Sequence, residues 1–420
     1  MGAYLFVIAI FFLFAGGASA GELMLEELVG EALKNNPEIR AAEARFLASR
    51  HRVPQSSSLP DPMFMFGYQN EGTSNLFTYG EMPDSQWMFS LSQMVPFPGK
   101  LSLKEEMARG ESGSLGAVLE AVKRRTAARV RELYYDLFLM HRSIDLVRER
   151  AGLFSKIEEA SLARYSSGQG TQQEVVMAQT EKFMLLEREE MFLQRVQTIE
   201  AMLNTLAGRD VNAPLGKPPE PQMFPYTYDL DHLLKSAHGY AAEVRSREGM
   251  IASSEARVRM AKREFYPDFT LTGSYFAKTS NFPDMWSLTT SVNVPLFYRT
   301  KQQQAFLEAE ASLSEARNEM EAAKRMVASS VRESYVMLRS AERLAEISRQ
   351  GLTPKARQDF ELSLSGYVTG RTEAMTVITR LKTLVEIELQ YWNQIVEREK
   401  AIARLEALTG VQPVAREKEQ

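Results

Sequence analysis

"LSQMVPFPGKLSLKEEMARGE", residues 91–111, begins as a strand and leaves as a helix, with Pro96, Phe97, Pro98 and Gly99 in between. Residues 290–311, "TSVNVPLFYRTKQQQAFLEAEA", make the same change around Pro295. Proline gives no N–H to a strand ladder and does not sit in a helix interior, so each site reads as a hinge between two kinds of structure.

Upstream of each hinge the apolar period is two. Phe269, Leu271 and Tyr275 alternate with Thr270, Thr272 and Ser274, and Trp286, Leu288, Val292 and Val294 alternate with Ser287, Thr289, Ser291 and Asn293. The earlier strands, MFMFGYQ and QWMFSLSQM, are more apolar on both sides, but Trp87, Phe89 and Leu91 keep one face. A soluble sandwich would also alternate. Aromatic residues near the strand ends, opposite a face of small hydroxyl residues, point instead to a lipid-facing, water-filled barrel.

Downstream the period becomes helical. Val130, Leu133, Leu137, Met140, Ile144, Val147, Ala151 and Phe154 step by three and four, a heptad seam. Residues 101–163 contain no proline, and at ~1.5 Å per residue such a helix approaches ~100 Å. It stops at Tyr165–Thr171, where Gly168 or Gly170 can take a positive φ, and a helix over 172–207 returns antiparallel. The second copy ends its long helix at Tyr367–Thr372, around Gly370, and returns to Leu408.

The chain is thus duplicated. Leu59-Pro60-Asp61 recurs as Tyr266-Pro267-Asp268, Val95-Pro96 as Val294-Pro295, Arg131-Glu132-x-Tyr134 as Arg332-Glu333-x-Tyr335, Tyr165-x-x-Gly168 as Tyr367-x-x-Gly370, and Leu206-Ala207-Gly208 as Leu408-Thr409-Gly410. The offset falls across the strands and then settles at 201 to 202, so the first copy holds extra residues, placed in the polar stretch from Glu71 to Ser85. Each copy opens with a short helical pair, the first broken at Asn36-Pro37. The proline-rich segment 209–229 reads as an extended connector.

The totals narrow the function. A net charge of -4 on 420 residues implies neither nucleic acid nor an anionic surface as partner. Residues 1–20, an apolar run ending in Ala18-Ser-Ala20, read as a secretory signal; the alternative is an N-terminal anchor, since no Lys or Arg precedes the run. There is no cysteine, hence no disulfide, thiolate metal site or lipidated N-terminal cysteine. No later stretch is apolar enough for a spanning helix, so entry into a membrane would be as a β-barrel. Four strands cannot close one; two chains would supply eight, whose interior side chains fill, and three would supply twelve and leave room for a lumen.

The -EALKNNPEI- opening, Val95-Pro96-Phe97-Pro98-Gly99-Lys100, Tyr165-x-x-Gly168-x-Gly170-x-Gln172-Gln173-Glu174, Tyr266-Pro267-Asp268, Val294-Pro295-Leu296-Phe297 and the closing Leu-x-Gly motifs span nearly the whole chain. In combination they resemble the TolC family of outer-membrane efflux channels, in particular its metal and cation efflux branch. The resemblance implies a mainly α fold with a β-barrel part. Duplicated helical hairpins of three chains form an α-barrel in the periplasm, and four strands per chain contribute to a twelve-stranded barrel in the outer membrane. It also implies a homotrimer in contact with outer-membrane lipid, a periplasmic adaptor and an inner-membrane pump, with passive conduction and no cofactor.

On this reading the β-hairpins are 62–95 and 267–295 and the coiled-coil hairpins 98–208 and 299–410. Short helices and connectors of an equatorial region occupy 21–61 and 209–266, and 411–420 is a tail. The tips meeting the adaptor are Tyr165, Gly168, Gly170, Thr171, Tyr367, Gly370, Arg371 and Thr372. The hinges are Pro96, Pro98, Gly99 and Pro295. Where the family often carries a gating aspartate, this chain has Thr379, leaving Glu373, Ile378, Thr379 and Arg380 as gate candidates. A type I protein-export duct and a poreless periplasmic coiled-coil scaffold are the rival readings.

Other features point to packing. Met177, Met184 and Met191, at heptad spacing, suggest core rather than a thioether relay. His51, His141, His232 and His238 do not converge on a metal. Lys123-Arg124-Arg125, flanked by Glu120 and Glu132, reads as a solvated face. No catalytic motif is present, so no enzyme activity is expected.

Overall fold

The computed structural model describes residues 23–412; the signal reading of residues 1–20 and all of the tail beyond Gln412 lie outside them. The first copy comprises α1 (Leu25–Asn35), α2 (Pro37–Ser57), β1 (Met63–Gln69), β2 (Gln86–Val95), α3 (Lys100–Ser166) and α4 (Gln172–Ala207). The second comprises α5 (Leu230–Tyr240), α6 (Ala242–Arg263), β3 (Asp268–Ala277), β4 (Met285–Asn293), α7 (Gln302–Ile347), a π-turn at Ser348–Leu352, α8 (Thr353–Val368) and α9 (Ala374–Thr409). α1 and α5 have 11 residues each, α4 and α9 have 36 each. The same left-handed glycine closes the equivalent elements, Gly168 (φ 75°) with Gly370 (φ 74°) and Gly208 (φ 69°) with Gly410 (φ 72°).

The chain forms two compact units. Among the described residues the first gathers 23–36, Thr126–Pro225 and Val336–Ala403. Its core contains the heptad seam: Val130, Leu133, Leu137, Ile144, Val147 and Phe154 are all buried, each burial contributing about 1.5–3 kcal/mol. Leu28 and Val29 of α1 and Leu203 of α4 extend that core at one end. Leu185, Phe360, Tyr367 and Leu381 continue it at the end of the unit that holds the two tips.

Here the second copy departs from the uninterrupted helix that the duplication predicts. α7, the five-residue π-turn and α8 together match the 67 residues of α3. Buried positions step by three and four through Val331, Ser334, Leu338, Ala341, Ala345 and Ser348, then resume at Phe360, Ser363 and Tyr367, one residue late. The Thr353 N–H reaches back five residues to the Ser348 carbonyl. Pro354 could neither donate to an α-helical partner nor fit its ring beside it, and the widened turn absorbs both the proline and the extra residue. This is the step from an offset of 201 at Tyr335 to 202 at Tyr367.

The second unit holds Pro37–Arg125, Tyr226–Tyr335 and residues 404–412. Its sheet is antiparallel in the order β1-β2-β3-β4, so β1 and β4 are its edges. α3 packs on α2 through Ile39, Ala42, Phe46 and Leu119. It meets α6 at Gly110 and Gly249, where a Cβ on either glycine would lie 2.6 Å from a backbone nitrogen of the other helix. Ser114 and Ser246 hydrogen-bond across that crossing at 2.9 Å.

Candidate functional site

The sheet is inverted relative to one that packs on a soluble core. Ser90 and Ser274 hydrogen-bond between β2 and β3 at 2.8 Å, and Ser92 with Thr272 at 2.9 Å, forming a hydroxyl ladder on the less exposed face. The opposite face carries Phe89 beside Tyr275, Tyr275 beside Trp286 and Phe269 beside Val292, and it lies open: Trp286 is 78 % exposed and Leu288 65 %. No second sheet covers it among the described residues. The 16-residue loop between β1 and β2 folds on itself around Asn70, whose Oδ1 accepts from the Thr78 N–H at 2.9 Å and the Tyr68 hydroxyl at 2.9 Å.

The first hinge is tight. Gly99 takes φ 91° and α3 starts at the next residue. Lys100 is buried there, its Nζ 2.9 Å from Asp268 and 3.4 Å from Glu264, and it donates to the Tyr266 carbonyl at 3.2 Å. Asp268 also accepts the Phe97 N–H at 2.8 Å, and Phe97 stacks on Tyr266. One lysine therefore ties the start of α3 to the end of α6 and the start of β3. The second hinge is looser: residues 294–301 form turns, and Leu296 and Phe297 are exposed. Lys100 and Asp268 stand inside the quoted motifs, yet their pairing is invisible in sequence because they lie 168 residues apart.

At the tips the structure sorts the candidates. Tyr165 and Arg371 are exposed, Gly168 and Gly370 supply the left-handed turns, and Thr171 caps α4 by accepting the Glu174 N–H at 3.4 Å. Thr372, half-buried, lies so close to Gly366 that a Cβ on that glycine would sit 2.2 Å from its hydroxyl. Tyr367 is only 1 % exposed and shares a hydrogen bond with Ser161 at 2.9 Å, so it braces the tips from within. The brace is completed by Arg164, which sequence reasoning did not single out. Its guanidinium donates to the Tyr367 carbonyl at 3.2 Å and the Gln169 carbonyl at 3.1 Å, and lies 5.0 Å from the Tyr367 ring centre. Adjacency to Tyr165 is its one sequence signal. Arg164→Ala should cost about 1–2 kcal/mol locally. Amide exchange at residues 167–171 and 368–372 is then expected to speed up about tenfold with the core of the unit unchanged; equal rates in both proteins would refute the brace.

Ile378, proposed from sequence beside Thr379, is a core residue at 1 % exposure, packed among Val377, Leu381 and Tyr367. The other gate candidates, Glu373, Thr379 and Arg380, are exposed, and Arg380 pairs with Asp359 at 3.1 Å. Of the three methionines only Met177 packs on the core; Met184 and Met191 are exposed, contrary to the core reading of the heptad. The period shows that they share a face but does not say what that face meets. Arg124 also departs from the solvated reading: it lies 3.6 Å over the Tyr240 ring and donates to that residue's carbonyl. Burial, with help from Lys217 and against Asp145, holds the His141 imidazole below its ordinary range. Among the described residues no cluster of His, Asp and Glu could hold a metal ion.

The sequence profile of the outer membrane efflux protein family matches residues 28–209 and 233–411, both copies and most of the chain. The chain belongs to that family. This outer membrane efflux protein shares its fold with a membrane protein of Pseudomonas aeruginosa (17 % identity, TM-score 0.82, covering 92 % of this chain and 90 % of that one). The outer membrane protein VceC of Vibrio cholerae is also similar (18 %, 0.80, 92 % and 96 %), as is the CmeC outer membrane channel of Campylobacter jejuni (14 %, 0.77, 94 % and 88 %). A search of curated protein sequences returns no significant match. The family is one of outer-membrane channels, and the inverted sheet is the part of the chain suited to lipid.

Proposed function

We propose that three copies of this chain assemble into an exit duct that conducts exported substrate passively across the periplasm and outer membrane. The observation that carries this reading is the inverted sheet, an exposed aromatic face backed by a hydroxyl ladder, with both edges free. Lipid accepts the first face, water the second, and the free edges must be closed by neighbouring copies. A poreless soluble scaffold would have no use for such a face.

The hairpins within 62–95 and 267–295 then span the outer membrane, and 98–208 and 299–410 line the periplasmic tunnel. The exposed tip residues Tyr165, Gly168, Thr171, Gly370 and Arg371 meet a periplasmic adaptor, which links the duct to an energised inner-membrane pump. Gly170 and Thr372 shape the turns behind that surface, and the Tyr367–Arg164 brace holds the two tips in register. The nature of the pump separates small-substrate efflux from type I protein export.

The test is single-channel conductance of the detergent-purified protein in a planar bilayer. The wild type is expected to pass small, flickering currents, and Thr379→Gly with Arg380→Gly to raise them severalfold. Ile378 is left intact because its removal would open a core cavity. Absence of insertion and current from correctly folded protein would sink the duct.

A further inference from the structure

Resting on the barrel reading above, we infer that the water face of the first β-hairpin is a thioether site for a soft monovalent cation, Cu(I) or Ag(I), built from Met63, Met65, Met88 and Met94. Alternation assigns each strand residue to one face of the sheet. Ser90, Ser92, Thr272 and Ser274 mark the face given to water. Met63 lies opposite Ser92, Met65 opposite Ser90 and Met94 opposite Thr270, and Met88, two residues before Ser90, keeps the same parity. Met285, opposite Phe276, is on that face too. All the methionines of the four strands therefore turn to water, while the lipid face is built with phenylalanine, tyrosine, tryptophan, leucine and valine and has none. Burial is not their use, since Met63 is 70 % exposed, Met65 53 % and Met94 40 %.

The duplication supplies an internal control. In the register that equates Asp61 with Asp268, Met63 and Met65 correspond to Thr270 and Thr272; in the register that equates Val95 with Val294, Met88 and Met94 correspond to Ser287 and Asn293. The second copy thus fills the same four places with the small polar residues that suit a water-filled barrel. What methionine adds there is a neutral, soft sulfur donor, which selects Cu(I) and its like and leaves hard cations such as Mg²⁺ and Ca²⁺ alone. The register sets Met88 diagonal to Met65 and Met94 diagonal to Met63, a Cα separation of about 7–8 Å that flexible side chains can bridge. Met88 already reaches over β1, for a Cβ added to Gly67 would lie 3.5 Å from its terminal methyl. Asp268 is the only charged residue of the four strands, and Lys100 neutralises it at 2.9 Å. The cation is therefore held by sulfur rather than by charge, weakly enough to move on, as conduction requires.

A cysteine-free chain makes silver a clean probe of thioethers. In a planar bilayer bathed in nitrate salts, micromolar Ag(I) is expected to lower the wild-type single-channel current by half or more. The variant carrying Met63→Leu, Met65→Leu, Met88→Leu and Met94→Leu should need about tenfold more silver for the same block, because leucine keeps the bulk and removes the sulfur. Met65→Leu with Met88→Leu is expected to shift the block in the same direction and serves if four changes impair assembly. Met184→Leu with Met191→Leu, on α4, should be blocked like the wild type. Equal block in the strand variants, or a conducting wild type that silver leaves unaffected, overturns this inference alone. Equilibrium dialysis of Ag(I) against the detergent-solubilised protein reads the site without conduction: the strand variants should bind fewer ions per chain, and equal binding overturns the site. A folded protein that passes no current at all overturns the duct, and dialysis still decides whether the methionines bind the cation.

Discussion

Gly249→Leu is expected to prevent the second unit from packing, whereas Gly113→Ala in the facing helix should be tolerated. At Gly249 even a Cβ would lie 2.6 Å from the Ser114 nitrogen and 2.8 Å from the Gly110 carbonyl oxygen. Those are backbone atoms and cannot rotate aside, so α3 and α6 would have to separate, losing the Ser114–Ser246 hydrogen bond as well. Overpacking of this kind costs about 3 kcal/mol or more. At Gly113 nothing lies within 4 Å of an added Cβ, and alanine should stabilise the helix by up to ~1 kcal/mol. The check is the guanidinium midpoint of each purified variant. Equal midpoints would mean that the crossing does not require glycine.

The second large effect is expected at the first hinge. Lys100→Met would strand the carboxylate of Asp268, which is mostly shielded from solvent and 2.9 Å from the lysine, with Glu264 left beside it. Removing one partner of a buried pair costs about 3–5 kcal/mol; with Glu264 partly in water the lower end applies. Lys104→Met, one turn further and exposed, should change stability by less than ~0.5 kcal/mol. Asp268→Asn combined with Lys100→Met should recover much of the loss, since the stranded charge is gone and the amide oxygen can still accept the Phe97 N–H. A Lys100→Met protein as stable as Lys104→Met would show that the hinge is not latched by this pair.

Much of the architecture was legible because it is local. Pro96 and Pro295 end strands through their own covalent geometry, Gly168, Gly208, Gly370 and Gly410 close helices through positive φ, and the heptad from Val130 to Phe154 sets a buried stripe whatever it meets. The duplication was legible too, down to a one-residue step in the offset. The chain by itself thus determined the order of elements, their ends and the existence of two alike halves. Tertiary structure decided which way each face turns and what it touches. Ile378 and Tyr367 point into their own protomer although each sits beside exposed residues, Met184 and Met191 stay outside although they keep heptad spacing, and the extra residue settles at Pro354 as a π-turn. Gly110 with Gly249, and Lys100 with Asp268, become necessary to each other only when helices and strands distant in sequence approach. Periodicity gives the phase of a face on one helix, whereas burial and pairing depend on a second surface that the local sequence does not contain.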